Sequence, residues 1–224
     1  MLQQQHHLTL VQEERSIYNS MVHDAMLTVV AAGIETLGHN EPCRNDFEMH
    51  YSFDFAQQVH FPSSKLQPGP MYFLVPLKCD IFGVCCEALP QQVNYLIDEG
   101  MHTSKGSNAV ISYLHHFWHL GLRLGEMALH LNCDNCSGQH KNKFMLWYLC
   151  WCVICKLHQS VSLNFMILEH TKFAPDWCFG LLKQRYRHSK VSMLADIASV
   201  VNSSTIVGVN RAEIVGTKNG QVNV

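Results

Sequence analysis

Two hydrophobic periods divide the chain, and the place where one gives way to the other limits the folds open to it. From His50, the stretch HYSFDFAQQVHF alternates: Tyr51, Phe53 and Phe55 fall on one side, Ser52 and Asp54 on the other. That is the period of a strand. PSSKLQPGP, 62–70, is a loop. MYFLVPLKCDIFGVCCEAL, from Met71, is rich in β-formers although Pro76 interrupts it. QQVNYLID, 91–98, is a further strand, with Glu87 to Gln91 as the turn between them. The period then lengthens. Residues 103–122 read as a helix with Ala109, Tyr113, Phe117 and Leu120 as its apolar stripe and Gly121 at its end. A strand runs up to Asp134, Lys143 to Lys156 is a very apolar helix, and QSVSLNFMIL, 159–168, is a strand. Pro175 and Asp176 open a helix over 175–188, because proline suits a first helical turn and an acid its positive end. SMLADIASVVNSST is a short last helix. Three strands in antiparallel succession, followed by alternating helix and strand, predict an α/β fold with a mixed sheet flanked by helices.

This core occupies 48–205. Residues 1–47 are expected to be a helical arm or the tail of a preceding region, with Val22, Met26, Val29, Val30 and Ile34 at helical spacing and Gly38 and Asn40 ending it. Residues 206–224 read as a polar, frayed tail. Composition narrows the function. Charged residues make up only 15% and the formal net charge is −2, so the chain exerts no global attraction on nucleic acid, and DNA contact must rest on a local basic patch. No run of 18 apolar residues exists, so a membrane span is not expected. The start, MLQQQHHLTLVQEERS, lacks the pattern of a secretory leader. The ten cysteines are therefore expected to be reduced, mostly as small core residues, in a nuclear or cytoplasmic protein. HTSKGSN lacks the glycine spacing of a phosphate loop, and no haem or nucleotide cofactor is expected.

The predicted element order is that of the ribonuclease H-like fold, with five strands in its sheet. In that fold the first strand, the fourth strand and the last helix each bring a carboxylate to one spot. Asp54, Asp134 and Asp176 stand on the corresponding elements. Three converging acids repel one another unless a cation joins them. Mg²⁺ or Mn²⁺ suits such hard oxygen ligands, and two ions can activate an attacking oxygen and stabilise a leaving one in phosphodiester cleavage. Each acid taken singly also has a plain reading: Asp54 as an edge residue, Asp134-Asn135 as a turn, Asp176 as a helix-start acid.

Four stretches, HYSFDFAQQVHFP, KCDIFGVCCEALPQQVNYLIDE, DNCSGQHKNKFMLWYL and HTKFAPDWCFGLLKQRYR, resemble a domain family that is multicopy in animal genomes and looks like the catalytic core of DDE-type transposases. The resemblance spans roughly residues 45 to 205. It implies a transposase-like polynucleotidyl transferase or nuclease, with Asp54, Asp134 and Asp176 as catalytic and metal-binding triad. It implies substrate contacts from Asn135, Gln139, His170, Lys172, Lys183 and Arg185, the last two in the basic patch KQRYRHSK suited to a phosphate backbone. DNA is the partner it implies, and a homo-oligomer is compatible with it. Family members often carry Gly where Glu169 stands and a small residue where Cys133 stands. The chain shows no helix-turn-helix or C₂H₂ finger, as expected of a fragment or decayed copy. The alternative reading is a catalytically inactive, domesticated remnant serving as a binding or assembly module.

Other constellations compete. Cys133 and Cys136, with His130 and His140, have spacing compatible with zinc. Core cysteine is the plainer reading. Cys178 near His170 is a weaker pairing for a nucleophile. His115 and His119 share a helical face.

Overall fold

A computed structural model describes residues 2–66, 69–101, 104–119, 122–166, 173–218 and 221–223. The strands are β1 (Asn45–Phe55), β2 (Val59–Phe61), β3 (Leu77–Cys86), β4 (Gln91–Asp98), β5 (Glu126–Cys133), β6 (Ser160–Phe165), β7 (Asn210–Lys218) and β8 (Gln221–Asn223). The helices are α1 (Leu2–Ala31), α2 (Gly69–Tyr72), α3 (Ser107–His119), α4 (Lys143–Ile154), α5 (Ala174–Arg187) and α6 (Leu194–Asn202). No described helix is long and apolar enough to cross a membrane.

The strands form one mixed sheet in the order β6-β5-β1-β3-β4-β7-β8, with β2 paired to β3. β1, β3 and β4 run antiparallel in succession. β5 joins β1 in parallel and β6 joins β5 in parallel. A parallel step needs a crossover, and α3 and α4 supply the two.

Both faces of β1 are covered, so its alternation sorts two kinds of neighbour rather than core from water. Met49, Tyr51 and Phe53 join Phe82, Val84, Leu129 and Leu131 in a large core with Leu114, Phe117 and Trp118 of α3 and Met145 and Leu149 of α4. A second core joins Ile81 and Leu96 to Phe179 and Leu182 of α5 and to Ile197, Val200 and Val201 of α6. The sheet thus lies between two helical layers.

Three expectations need correction. Among the described residues the sheet has eight strands, not five. The segment expected as a frayed tail continues it: β7 pairs in parallel with β4 from Gln92↔Asn210 to Ile97↔Val215. β4 is buried along six of its eight residues, and an open edge of that kind calls for a partner. The alternation in NRAEIVGTK is too dilute in apolar residues to announce one. The third correction is register on the helices. α3 buries Val110, Leu114, Phe117 and Trp118, a stripe set one residue from Ala109 and Tyr113, and Leu120 lies outside the described residues. α1, in the region expected as a helical arm, packs Ala25 and Val29 into the large core, buries Val11 and leaves Met26 and Val30 exposed.

Candidate metal centre

β1 and β5 are adjacent and parallel, and their register fixes the site. His50 pairs with His130 and Ser52 with Asn132. Two residues further along, Asp54 and Asp134 emerge at the same level, at the carboxyl ends of neighbouring strands. Such ends are where open α/β sheets place their ligands.

The turn after β5 then returns a third group. The Cys136 N–H donates to Asp134 Oδ1 at 3.2 Å. The Cys136 carbonyl accepts from the N–H groups of Gln139, His140 and Lys141 at 3.3, 2.9 and 3.0 Å. Asn142 ends the loop by capping α4, its Oδ1 accepting from Phe144 and Met145 N–H, and its Nδ2 donates back to the Ser137 carbonyl at 3.2 Å. Ser107, at the start of α3, donates to the Gly138 carbonyl at 3.4 Å. So braced, the loop folds His140 inward until it is fully buried. Its ring meets Phe53 edge-on at 5.0 Å between centroids. Its Nε2 stands 3.0 Å from Asp134 Oδ1.

Asp54, Asp134 and His140 each present a ligand atom within 4.8 Å of the other two, the one such gathering of three among the described residues. With Nε2 set against Asp134, the other ring nitrogen, Nδ1, is buried without a hydrogen bond. A buried polar atom left in that state is costly. The two carboxylates are held differently. Burial pushes Asp54 up to about 6. Its Oδ1 accepts from the Phe55 N–H at 2.7 Å, which opposes the rise, as does His140, while Asp134 and Asp176 reinforce it. Asp134 is held below the ordinary carboxylate range, first by His140 and then by the Cys136 N–H, against its burial.

Asp176 stands outside the close group but near enough for its charge to bear on Asp54. It is exposed. Its Oδ2 accepts from the Phe173 N–H at 3.2 Å at the start of α5. That helix is laid directly over the site's strands: a Cβ on Gly83, the residue paired with Asp54, would meet Phe179 at 2.7 Å. A cleft of about 550 Å³ opens beside Asp176, lined also by Tyr18, Phe173, Ala174 and Trp177. Tyr18 reaches from α1 to donate to the buried Glu87, whose carboxyl burial pushes up to about 7.

Asn135 and Gln139 are half-buried in the turn beside Asp134, Lys183 is half-buried on α5, and Arg185 is exposed. His170, Lys172 and Glu169 lie outside the described residues. The zinc set does not assemble. Cys133 is fully buried, with its thiol pushed up by that burial. His130 is taken by Ser162 at 2.6 Å and Glu48 at 3.0 Å and stacks on His50. Cys178 is buried in a small core with Cys85. All ten cysteines are free. His140 was visible in the sequence only as a zinc candidate. Its true partner is the acid six residues before it, and the cue was a short polar loop between two buried elements.

A family described as a domain of unknown function (DUF7869) matches residues 72–219. That segment contains Asp134, His140, Asp176 and Lys183, and begins beyond Asp54. Neither a curated protein nor a solved structure matches the chain.

Proposed function

Since the chain belongs to the DUF7869 family, whose description names no activity, we propose its function from the site: a divalent-cation-dependent polynucleotidyl transferase or nuclease of the transposase kind, built on a ribonuclease H-like core. The carrying observation is the convergence of Asp54, Asp134 and His140 at the carboxyl ends of β1 and β5. The path β4-β3-β1-β5-β6, antiparallel on one side of β1 and parallel on the other, supports the fold assignment. β7 and β8 extend that core at the β4 edge.

The donor set fits a hard cation. Two carboxylates face one another, burial and then the charges of Asp134 and Asp176 raise Asp54, and a buried imidazole sets its Nε2 against Asp134 while its Nδ1 has no hydrogen bond. Mg²⁺ or Mn²⁺ would be held by Asp54 and Asp134, with Asp176 at the rim, and would supply activation of an attacking oxygen and charge stabilisation at the leaving one. His140 fixes the rotamer of Asp134 from below. Asp54 is ionised above about pH 6, so the site is competent for a cation at neutral pH. Lys183 lies two turns along α5 from Asp176 on the same side, and Arg185 is exposed for a phosphate. DNA is the substrate this arrangement suits.

A second reading, a remnant acting as a binding or assembly module, draws on two contacts. His140 already gives Asp134 a partner, and Asp176 is engaged with its own helix start. Nicking of supercoiled DNA separates the two. Cleavage in Mg²⁺ or Mn²⁺ that is lost in Asp134→Asn and in Asp54→Asn supports the enzyme. Absence of cleavage, with no rise in melting temperature on adding either ion, supports the module.

A further inference from the structure

α4 is apolar around its whole circumference, yet only one side of it is covered. Met145, Leu149 and Cys152 are buried against the sheet and α3. Phe144, Leu146, Trp147, Trp151 and Ile154 are exposed large hydrophobics, with Trp147 at 62% and Ile154 at 77%, and Cys150 and Cys155 are exposed among them. A helix that is apolar all round belongs inside something. Phe144, Trp147, Trp151 and Ile154 follow one another at spacings of three, four and three. That is the seam by which one helix packs along another.

From this face we infer that the chain forms a two-fold dimer in which α4 packs antiparallel on α4 of a second copy. Three features of this face favour a second copy. First, area: a full indole presents roughly 250 Å², so the exposed seam amounts to roughly 600 Å², approaching the roughly 800 Å² per partner of a standard interface and at the upper end of the roughly 300 to 600 Å² that monomers leave bare. Second, charge: from Phe144 to Ile154 α4 carries none, so a matching surface must be equally uncharged, and an isologous contact provides that match by symmetry. Third, ends: Lys143 is the helix's one charged residue, at its first position with its Nζ over the Phe144 and Trp147 rings. Antiparallel packing brings it to the carbonyl end of the other α4, where a cation is favoured. The groove between α3 and α4, about 340 Å³ and lined by Ile111, Ser112, His115, Tyr148 and Trp151, continues the apolar surface at one flank. The dimer is independent of the metal centre.

The test is sedimentation velocity of the full chain from about 1 to 100 μM, with Trp147→Glu and, as a control, Ile206→Glu at an exposed apolar residue far from α4 in the sequence. The parent and the control sediment as dimers, and Trp147→Glu weakens dimerisation at least 100-fold with an unchanged far-ultraviolet dichroism spectrum. A monomeric parent at 100 μM, or a Trp147→Glu chain that dimerises as the parent does, overturns the inference. Should that variant fail to fold, a short bis-maleimide on the parent decides. Cys150 lies midway along α4, exposed beside the seam, so cross-linked Cys150–Cys150 peptides are expected by mass spectrometry, and their absence, with or without a linked dimer, overturns the antiparallel contact.

Discussion

Removing the Asp54 carboxylate should stabilise the protein when no cation is present. Burial, Asp134 and Asp176 raise this group from 3.8 to about 6 in the fold, net of the opposing Phe55 N–H and His140. The folded state therefore binds the proton more tightly than the unfolded chain does. Its ionisation destabilises the fold fully above about pH 6, and the penalty is relieved as pH falls toward 3.8. Two pH units correspond to roughly 3 kcal/mol at about 1.4 kcal/mol each. Asp54→Asn keeps an oxygen to accept from the Phe55 N–H and removes the charge. In EDTA, urea denaturation should find this variant about 2 to 3 kcal/mol more stable than the parent near pH 7.5. Integrating the linkage between the two values, that advantage should shrink by roughly 1.5 kcal/mol on going to about pH 5. The comparison with the parent matters, because Glu87, raised to about 7, has the same pH sense and His50, lowered to about 4, the opposite one. Both cancel in the difference. A variant equally stable or less stable at pH 7.5, or an advantage that does not change with pH, refutes the placement of Asp54 as a charge held against its environment.

Other perturbations report on separate parts of the account. Mg²⁺ at 100 times its dissociation constant should stabilise the parent by about 2.7 kcal/mol, seen as a rise of several degrees in calorimetry, and should leave Asp134→Asn unmoved. Gly83→Ala should cost about 1 to 3 kcal/mol, because the added methyl meets Phe179 Cζ and Gln92 Nε2 at 2.7 Å, and urea unfolding reads it directly. His140→Ala should raise the Asp134 pKa, since His140 is the first cause of its depression. The Asp134 carboxyl carbon, followed by NMR against pH in EDTA, should then titrate at higher pH in the variant than in the parent, and an unmoved titration means that His140 does not hold Asp134.

Much of the fold was written in local pattern. β4, β5 and α5 lie within a few residues of where alternation, the strand-end acid and the Pro175-Asp176 start put them, while the single strand read from His50 to Phe61 is divided between β1 and β2. β7 was not legible because its support is non-local: its pairing with a buried β4 edge supplies what its own weak alternation lacks. The one-residue offset on α3 reflects which side the sheet presents, which periodicity alone does not fix. Asp54 and Asp134 were legible because strand position and chemistry agree. The His140 contact was not, since it depends on the fold of the turn from Cys136 to Lys141, and the Cys133-x-x-Cys136 spacing drew the eye to a metal set that the strand splits between core and turn. His170 and Lys172 lie outside the described residues.

The central claim is that Asp54 and Asp134 form a divalent-cation site, and Mn²⁺ titration followed by the electron paramagnetic resonance of the free ion tests it most directly. The parent should deplete free Mn²⁺ stoichiometrically at neutral pH and release it as pH falls through about 6, where Asp54 takes up its proton, while Asp54→Asn and Asp134→Asn should leave the free signal intact. Equal depletion by parent and variants, or none by the parent, contradicts the claim.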